Sequence, residues 1–483
     1  MKINKSIVIG GGPAGLTAGW KLAKEHIDVL VVEKYHDVGG IARTEEYKGY
    51  RFDIGGHRFF TVVNEVEELW HEWLGSEFVT RPRKSRILYK GKFFNYPLTI
   101  VNALSGLGIF ESIRIIFSYL KAQVFQRNPE VSFEDWVVNR FGNRLYEIFF
   151  KTYTEKVWGI KCTEIRAEWA AQRIKGLTLP AAIRNALFPP GGNVIKTLIK
   201  EFHYPIKGPG MMWQKVSRLI CDGGGRVELN SEAVAINWSN NKVDSVEIKD
   251  SSGTRTLQTD YVFSTMALDD LISRFRPSPP QDVVNAASGL KYRDFITVVL
   301  IVDIEEVFDD NWVYIHSPDV MIGRIQNFKN WSLDMVPDEK TTSLGLEYFC
   351  NVGDELWGAS DSDLIERAKL EIEIIGLAEQ SNVIDATVVR QVKAYPVYDV
   401  EYGPLLDTVR AWLSGFDNFH TIGRNGLHKY NNQDHSMLTA LRAVDEAVKG
   451  VDVDVWDINT DRSYHEEVKV SRDSNKPVDI LDA

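Results

Sequence analysis

The chain opens on a solid apolar run, Ser6-Ile7-Val8-Ile9, which passes through glycines into a stretch with helical spacing from Leu16. A second apolar run, Val29-Leu30-Val31-Val32, follows and ends on Glu33. This pattern predicts strand, turn, helix, strand and acid in that order. From residue 61 to about 200 the apolar positions recur mostly at helical spacing, clearest over Val63 to Leu74 and Ser132 to Val157. Ser132 with Asp135 reads as a helix start. Phe93 to Pro97 reads as a short aromatic strand, and Pro189-Pro190-Gly191-Gly192 as a loop. The character changes at Pro205. Met211 to Cys221 predicts a helix, then Arg226 to Leu229, Ala233 to Ile236 and Tyr261 to Thr265 predict strands. Phe295 to Val302 begins a second sheet, continued by Trp312 to Ile315 and Leu344 to Tyr348. Asp361 to Leu377 and Ser436 to Val448 read as helices, with Phe419 to Arg424 as a strand returning to the first sheet. The tail from Asp452 is polar and expected to be loosely attached.

The class is therefore α/β and the organisation interleaved. A discontinuous Rossmann-type nucleotide domain is built from 1–60, 205–290 and 415–450. A mainly helical domain (61–204) and a mixed β-sheet domain (291–414) are inserted into it, and 451–483 forms the tail. A length of 483 residues calls for two or three domains. A net charge of −11 argues against a nucleic-acid binder. Three widely spaced cysteines without a CxxC fit reduced cytoplasmic thiols and no metal. The N-terminus runs straight into the first strand, which leaves no signal peptide. No apolar run reaches the ~18–20 residues of a membrane span. The nearest, Val101 to Leu120, is broken by Glu111 and Arg114 and reads as an amphipathic surface helix, with membrane association as the alternative.

The first turn carries the candidate chemistry. In Gly10-Gly11-Gly12-Pro13-Ala14-Gly15, Gly10 permits a tight turn, Gly12 lets backbone N–H groups approach a pyrophosphate, and Gly15 lets helix and strand pack closely. The diphosphate would lie at the helix N-terminus, with Glu33 accepting from ribose hydroxyls. Gly39-Gly40 followed by Arg43 can bring backbone and a planar, two-pronged guanidinium to the same diphosphate. Gly55-Gly56-His57 suggests backbone close to a flat ligand with an imidazole beside it; alone, His57 is as readily a core histidine. The basic run Arg81 to Arg86 could attract an anion or simply be solvated.

Together with Gly423-Arg424, Tyr153-Thr154-Glu155-Lys156-Val157-Trp158 and Asn432-Gln433-Asp434-His435-Ser436, these motifs resemble the FAD enzymes of the amine oxidase and protoporphyrinogen oxidase superfamily. Within it, residues 10–450 look most like the UDP-galactopyranose mutases. The resemblance implies FAD, active when reduced by NAD(P)H or another donor. It implies interconversion of pyranose and furanose forms of a nucleotide-diphosphate sugar through an adduct at flavin N5, in polysaccharide biosynthesis. It places His57 beside N5, Arg173 and Arg324 as a diphosphate clamp, and Arg424 near flavin and sugar. It also gives Tyr96, Tyr314, Tyr395 and Tyr430 to the substrate. Gly10, Gly12, Pro13, Ala14, Gly15, Glu33, Gly40, Arg43, Gly56, Gly423, Gln433, Asp434 and Ser436 would hold the cofactor. Two departures stand out. Thr99 follows Tyr96-Pro97-Leu98 where the family carries a Gln that reads the base, and His203 stands where an Arg is frequent. A net oxidase or desaturase on the same fold is the competing reading.

Overall fold

The computed structural model describes residues 3–98, 100–167, 194–198, 200–459 and 467–471. The first apolar run forms Lys5–Ile9, the centre of a five-stranded parallel sheet. Asp28–Val32 and then Arg226–Glu228 lie on one side of it, Tyr261–Ser264 and then Phe419–Thr421 on the other. The central stretches Ile7–Ile9 and Val29–Val32 are apolar at successive positions because both faces of the sheet are covered there. Val8, Val29, Val31 and Phe263 face the helices Pro13–Lys24, Gly210–Asp222 and Gln433–Lys449. Ile7, Ile9, Leu30 and Val32 face a second core, built from the antiparallel strands Glu232–Ser239 and Lys242–Asp250 and the helices Leu268–Arg274 and Gln281–Gly289. Period-two alternation thus divides one strand between two interiors.

The second sheet has seven strands in the order Val383–Pro396, Tyr292–Val302, Thr342–Cys350, Arg324–Asn327, Trp312–Ile315, Ser85–Tyr89 and Lys92–Asn95. The last two come from early in the chain and join through parallel pairing of Ser85–Tyr89 with Trp312–Ile315. One face of the sheet, with Ile296, Val298 and Leu300, packs against the helix Asp361–Ile374. The other, with Phe295, Phe349 and Tyr395, packs against helices of the inserted helical region, including Phe133–Phe141 and Thr152–Trp158. Ser132 caps the first of these. Its hydroxyl accepts from the Asp135 N–H at 3.2 Å, while the Asp135 carboxylate accepts from the Ser132 N–H at 3.1 Å.

Three expectations are corrected. Gly423 and Arg424 lie not on the returning strand but on a short helical turn, Gly423–Gly426, because Gly423 takes a φ of 83° that ends the strand. The apolar stretch after residue 100 forms two helices, Ile100–Leu107 and Ile109–Val124, separated at Gly108 with φ 87°. The second is no ordinary amphipathic surface helix. Phe110, Ile113, Phe117, Leu120 and Val124 are exposed, and Ile115 and Ala122 are its buried residues. No helix among the described residues is long and apolar enough to cross a membrane. The start of the tail is anchored, since Val455 is buried and Lys429 donates to the carbonyls of Trp456 and Ile458.

Candidate functional site

A cavity of about 2000 Å³ lies between the two sheets and the helical region. Its wall takes in Gly10, Gly12, Pro13, Ala14, Glu33, Gly40, Arg43, Gly56, His57, Tyr96, Tyr314, Arg324, Tyr395, Gly423, Arg424, Tyr430, Gln433, Asp434 and Ser436, all residues singled out from the sequence. Gly15 is not part of the wall. A Cβ there would meet the Gly10 carbonyl oxygen at 1.9 Å, so its role is the close packing of helix on strand. At Gly12 an added Cβ would make only ordinary contacts, the nearest atom being the Gly40 Cα at 3.7 Å. The helix Pro13–Lys24 starts at Gly12 without a side-chain cap, and its first N–H groups stand beside the cavity. Arg173 and Thr99 lie outside the described residues.

Glu33 already has backbone partners. It accepts from the Gly11 N–H at 2.6 Å and the Tyr35 N–H at 2.8 Å, which fixes the turn and leaves carboxylate lone pairs for a further donor. Arg43 donates to Glu45 at 2.6 Å, to the Gly40 carbonyl at 2.9 Å and to Gln391 at 2.7 Å, and lies over the Tyr35 ring. It is a buried strut holding the second glycine turn against the mixed sheet.

The remaining candidates converge on one wall. Arg324 starts its strand directly opposite Glu347 in the register, and the two side chains pair at 2.6 and 2.8 Å. Glu347 is fully buried and also accepts from Gln326 at 3.0 Å. Arg324 donates in addition to the Tyr395 hydroxyl at 3.3 Å. Tyr395 stacks on Tyr430 with centroids 5.6 Å apart, and the Arg424 guanidinium sits over both rings at 4.8 and 4.3 Å. Tyr96 and Tyr153 both pack on Tyr314, and Tyr153 stacks nearly parallel on His316. Burial raises the Tyr395 hydroxyl to about 12, against the pull of Arg324. Tyr395 is therefore neutral at ordinary pH, and while its oxygen accepts from Arg324 its O–H can donate to a ligand.

His57 sits where Gly55, with φ 92°, turns the chain toward Arg324. Burial, and then the cations Arg424, Arg324 and Arg43, push its imidazole down to about 3, so it is neutral at ordinary pH. Its Nδ1, the Arg424 Nε and the Gln433 Nε2 are buried without a hydrogen-bond partner among the described residues. Buried polar atoms are nearly always satisfied, so three unsatisfied ones on residues of one cavity wall outline a polar ligand. With the uncapped helix start and the side-chain-free backbone of Gly12 on the cavity wall, they fit a flavin dinucleotide.

Sequence reasoning missed Tyr153 and His316, which line this wall, and Glu347, which is buried behind Arg324. Glu347 had a signal. It is the single acid within the otherwise apolar Leu344-Gly345-Leu346-Glu347-Tyr348, and an isolated buried charge implies a partner.

A parallel sheet with a glycine turn opening onto a cavity of this size defines a dinucleotide-binding enzyme fold with an inserted substrate region. The family model described as flavin containing amine oxidoreductase matches residues 13–423, and the chain belongs to that family. Over 173 residues it is 28% identical to a dTDP-fucopyranose mutase of Escherichia coli, covering 34% of this chain and 44% of that protein. It is 42% identical over 67 residues to a 1-hydroxycarotenoid 3,4-desaturase of a Flavobacterium species, covering 14% of each chain. The match thus spans under half of either relative. Among solved structures, a reduced UDP-galactopyranose mutase superposes with a TM-score of 0.82 at 22% identity, covering 95% of this chain and 98% of that one. A CLA-producing fatty acid isomerase from P. acnes superposes at 0.58 with 13% identity, covering 92% and 98%. One fold carries both chemistries, so function has to be argued from the site.

Proposed function

We propose that the protein is an FAD-dependent isomerase that interconverts pyranose and furanose forms of a nucleotide-diphosphate sugar. The observation that carries this reading is the wall of Arg324, Arg424, Tyr395, Tyr430 and Tyr314 facing the same cavity as His57. Reduced flavin, when bound, supplies a nucleophilic ring nitrogen and is regenerated without net oxidation. The rest of the work belongs to this chain. Gly12, Gly40 and the start of helix Pro13–Lys24 present N–H groups to the cofactor diphosphate. Glu33 accepts from its ribose, and the start of helix Gln433–Lys449, with Gln433, Asp434 and Ser436, favours an anionic ring by its dipole. His57, held neutral, offers one donor and one acceptor at the cofactor without adding charge. The hydroxyls of Tyr314, Tyr395 and Tyr430 donate to the substrate diphosphate, and Arg324 and Arg424 steady it as it leaves the anomeric carbon. Arg173 is assigned to the same clamp on sequence alone. Phe149, Tyr153 and Trp158 exclude water from the sugar.

A second reading, net oxidation of the substrate by FAD, is favoured by one observation. The Arg324 charge is balanced by Glu347, so this clamp is weaker in net charge than a bare guanidinium. To separate the two, the reduced protein is incubated without oxygen with a panel of UDP- and dTDP-linked hexoses. Ring-form exchange followed by chromatography supports the isomerase. Failure across the panel, together with bleaching of the oxidised protein by a reduced substrate, supports the oxidoreductase.

A further inference from the structure

Helix Asn64–Leu74 lines the cavity with Asn64, Glu65 and Trp70, and outside it meets strand Glu201–Pro205 where the His71 and His203 rings lie 5.5 Å apart, both against Phe78. The helix buries Val66, Leu69, Trp70, Trp73 and Leu74 on one face. Glu67 and His71, four residues apart, therefore share another flank. In the strand, Phe202 and Tyr204 point inward onto Trp331, so alternation turns His203 the other way. The His203 backbone is fixed from both sides. It pairs with Thr80 in the sheet ladder, and exchanges hydrogen bonds with Phe59 at 2.9 Å in each direction. A rigid strand thus presents an imidazole to a helix that presents an imidazole and a carboxylate.

One ligand atom from each of Glu67, His71 and His203 lies within 4.8 Å of the others. Donors about 2.0–2.2 Å from a common tetrahedral ion lie about 3.3–3.6 Å apart, so small side-chain rotations from within 4.8 Å bring these three onto one ion, and two imidazoles with one carboxylate suit a zinc-class ion better than magnesium or calcium. We propose that Glu67, His71 and His203 form a three-ligand site for a divalent cation of the zinc class, fastening helix Asn64–Leu74 to strand Glu201–Pro205. The fourth position is left to water. None of the three residues lines the cavity, so the ion would stand apart from the cofactor and join helix to strand. The site departs from the expectation of no metal, which rested on the cysteines; His203 lies more than a hundred residues from the other two donors in sequence.

The test uses the full-length, flavin-loaded protein, stripped with a chelator and titrated with Zn²⁺ alone against a chromophoric zinc indicator. Thermal unfolding is followed with and without the ion. One equivalent should bind saturably and raise the unfolding midpoint, with Mg²⁺ and Ca²⁺ unable to displace it. His71→Ala and His203→Ala should each weaken binding by about tenfold or more, and Glu67→Gln by less. Loss of the thermal shift should accompany loss of binding. If His203→Ala does not fold, the two helix variants decide, because both change the seam flank rather than the helix core. Unchanged affinity in these variants, or no saturable binding by the parent, overturns the proposal.

Discussion

The guanidinium of Arg324 pairs at 2.6 Å with the fully buried carboxylate of Glu347, directly opposite it on the neighbouring strand. The pair holds Arg324 in one orientation toward the cavity and cancels its charge. Truncating one member leaves the other buried and uncompensated, which costs roughly 3–5 kcal/mol. Arg324→Ala should therefore lower the unfolding midpoint sharply as well as weaken ligand binding. The double change Arg324→Met with Glu347→Leu should recover much of the stability without restoring nucleoside-diphosphate binding. Thermal unfolding and calorimetric titration with UDP and dTDP separate the two effects. Recovery of binding in the double variant would remove Arg324 from the clamp.

Glu347→Gln makes the opposite prediction. It keeps the shape of the pair but frees the positive charge beside Tyr395. Affinity for a nucleoside diphosphate should rise by about tenfold while stability falls. The same titration reads it, and weaker binding would mean that the carboxylate positions Arg324 rather than restrains it.

The two glycines at the start of the first helix should fail differently. A Cβ at Gly15 would meet the Gly10 carbonyl oxygen at 1.9 Å, so Gly15→Ala should yield unstable protein. A Cβ at Gly12 makes only ordinary contacts, and its φ of −81° suits any residue. Gly12→Ala should fold normally but carry less flavin, because the added methyl occupies the approach to the diphosphate. Flavin absorbance per mole of protein, set beside the unfolding midpoint, checks both.

Stability should fall on the acid side. Burial pushes His57 and His316 down to about 3 and His428 to about 4. Below the ordinary histidine value near 6.5 the unfolded chain takes up protons that the folded one refuses. Each histidine should remove about 1.4 kcal/mol per pH unit from there down to its folded value. Asp53 works in the other direction. Burial raises it to about 7, despite hydrogen bonds from Tyr204 and Thr44, so its protonated form is favoured and its contribution is lost as pH rises from about 4 to 7. Burial also raises Asp310 and Glu371, which act with Asp53, but the three large histidine shifts dominate. The unfolding midpoint should drop steadily from pH 6.5 to 4.5, and His428→Gln should flatten that slope.

Most of the first sheet was legible because its central strands carry unbroken apolar runs, Ile7–Ile9 and Val29–Val32, and the turn between them and the helix carries glycine. The same strength of signal found Tyr292–Val302 and the helix Gln433–Lys449. Ser85–Tyr89 went unread as a strand of the mixed sheet. Its partner, Trp312–Ile315, lies more than two hundred residues away, and local pattern carries no such information. Phe419–Thr421 was read too long, because only the φ at Gly423 says where the strand stops. In the candidate site, Gly10, Gly12 and His57 announced themselves through glycine spacing. Glu347 stood out as a lone acid in an apolar run, but its pairing with Arg324 becomes visible only when two strands are set in register.

The central claim is that flavin here acts without net redox, and the most direct measurement counts turnovers against reducing equivalents. Protein reduced once with dithionite is supplied, without oxygen, with the nucleotide sugar whose ring forms it exchanges. Many moles of isomer per mole of reductant are expected, with the flavin still reduced at the end. Reductant consumed one for one with product, or exchange that proceeds only while the oxidised flavin bleaches, would contradict it.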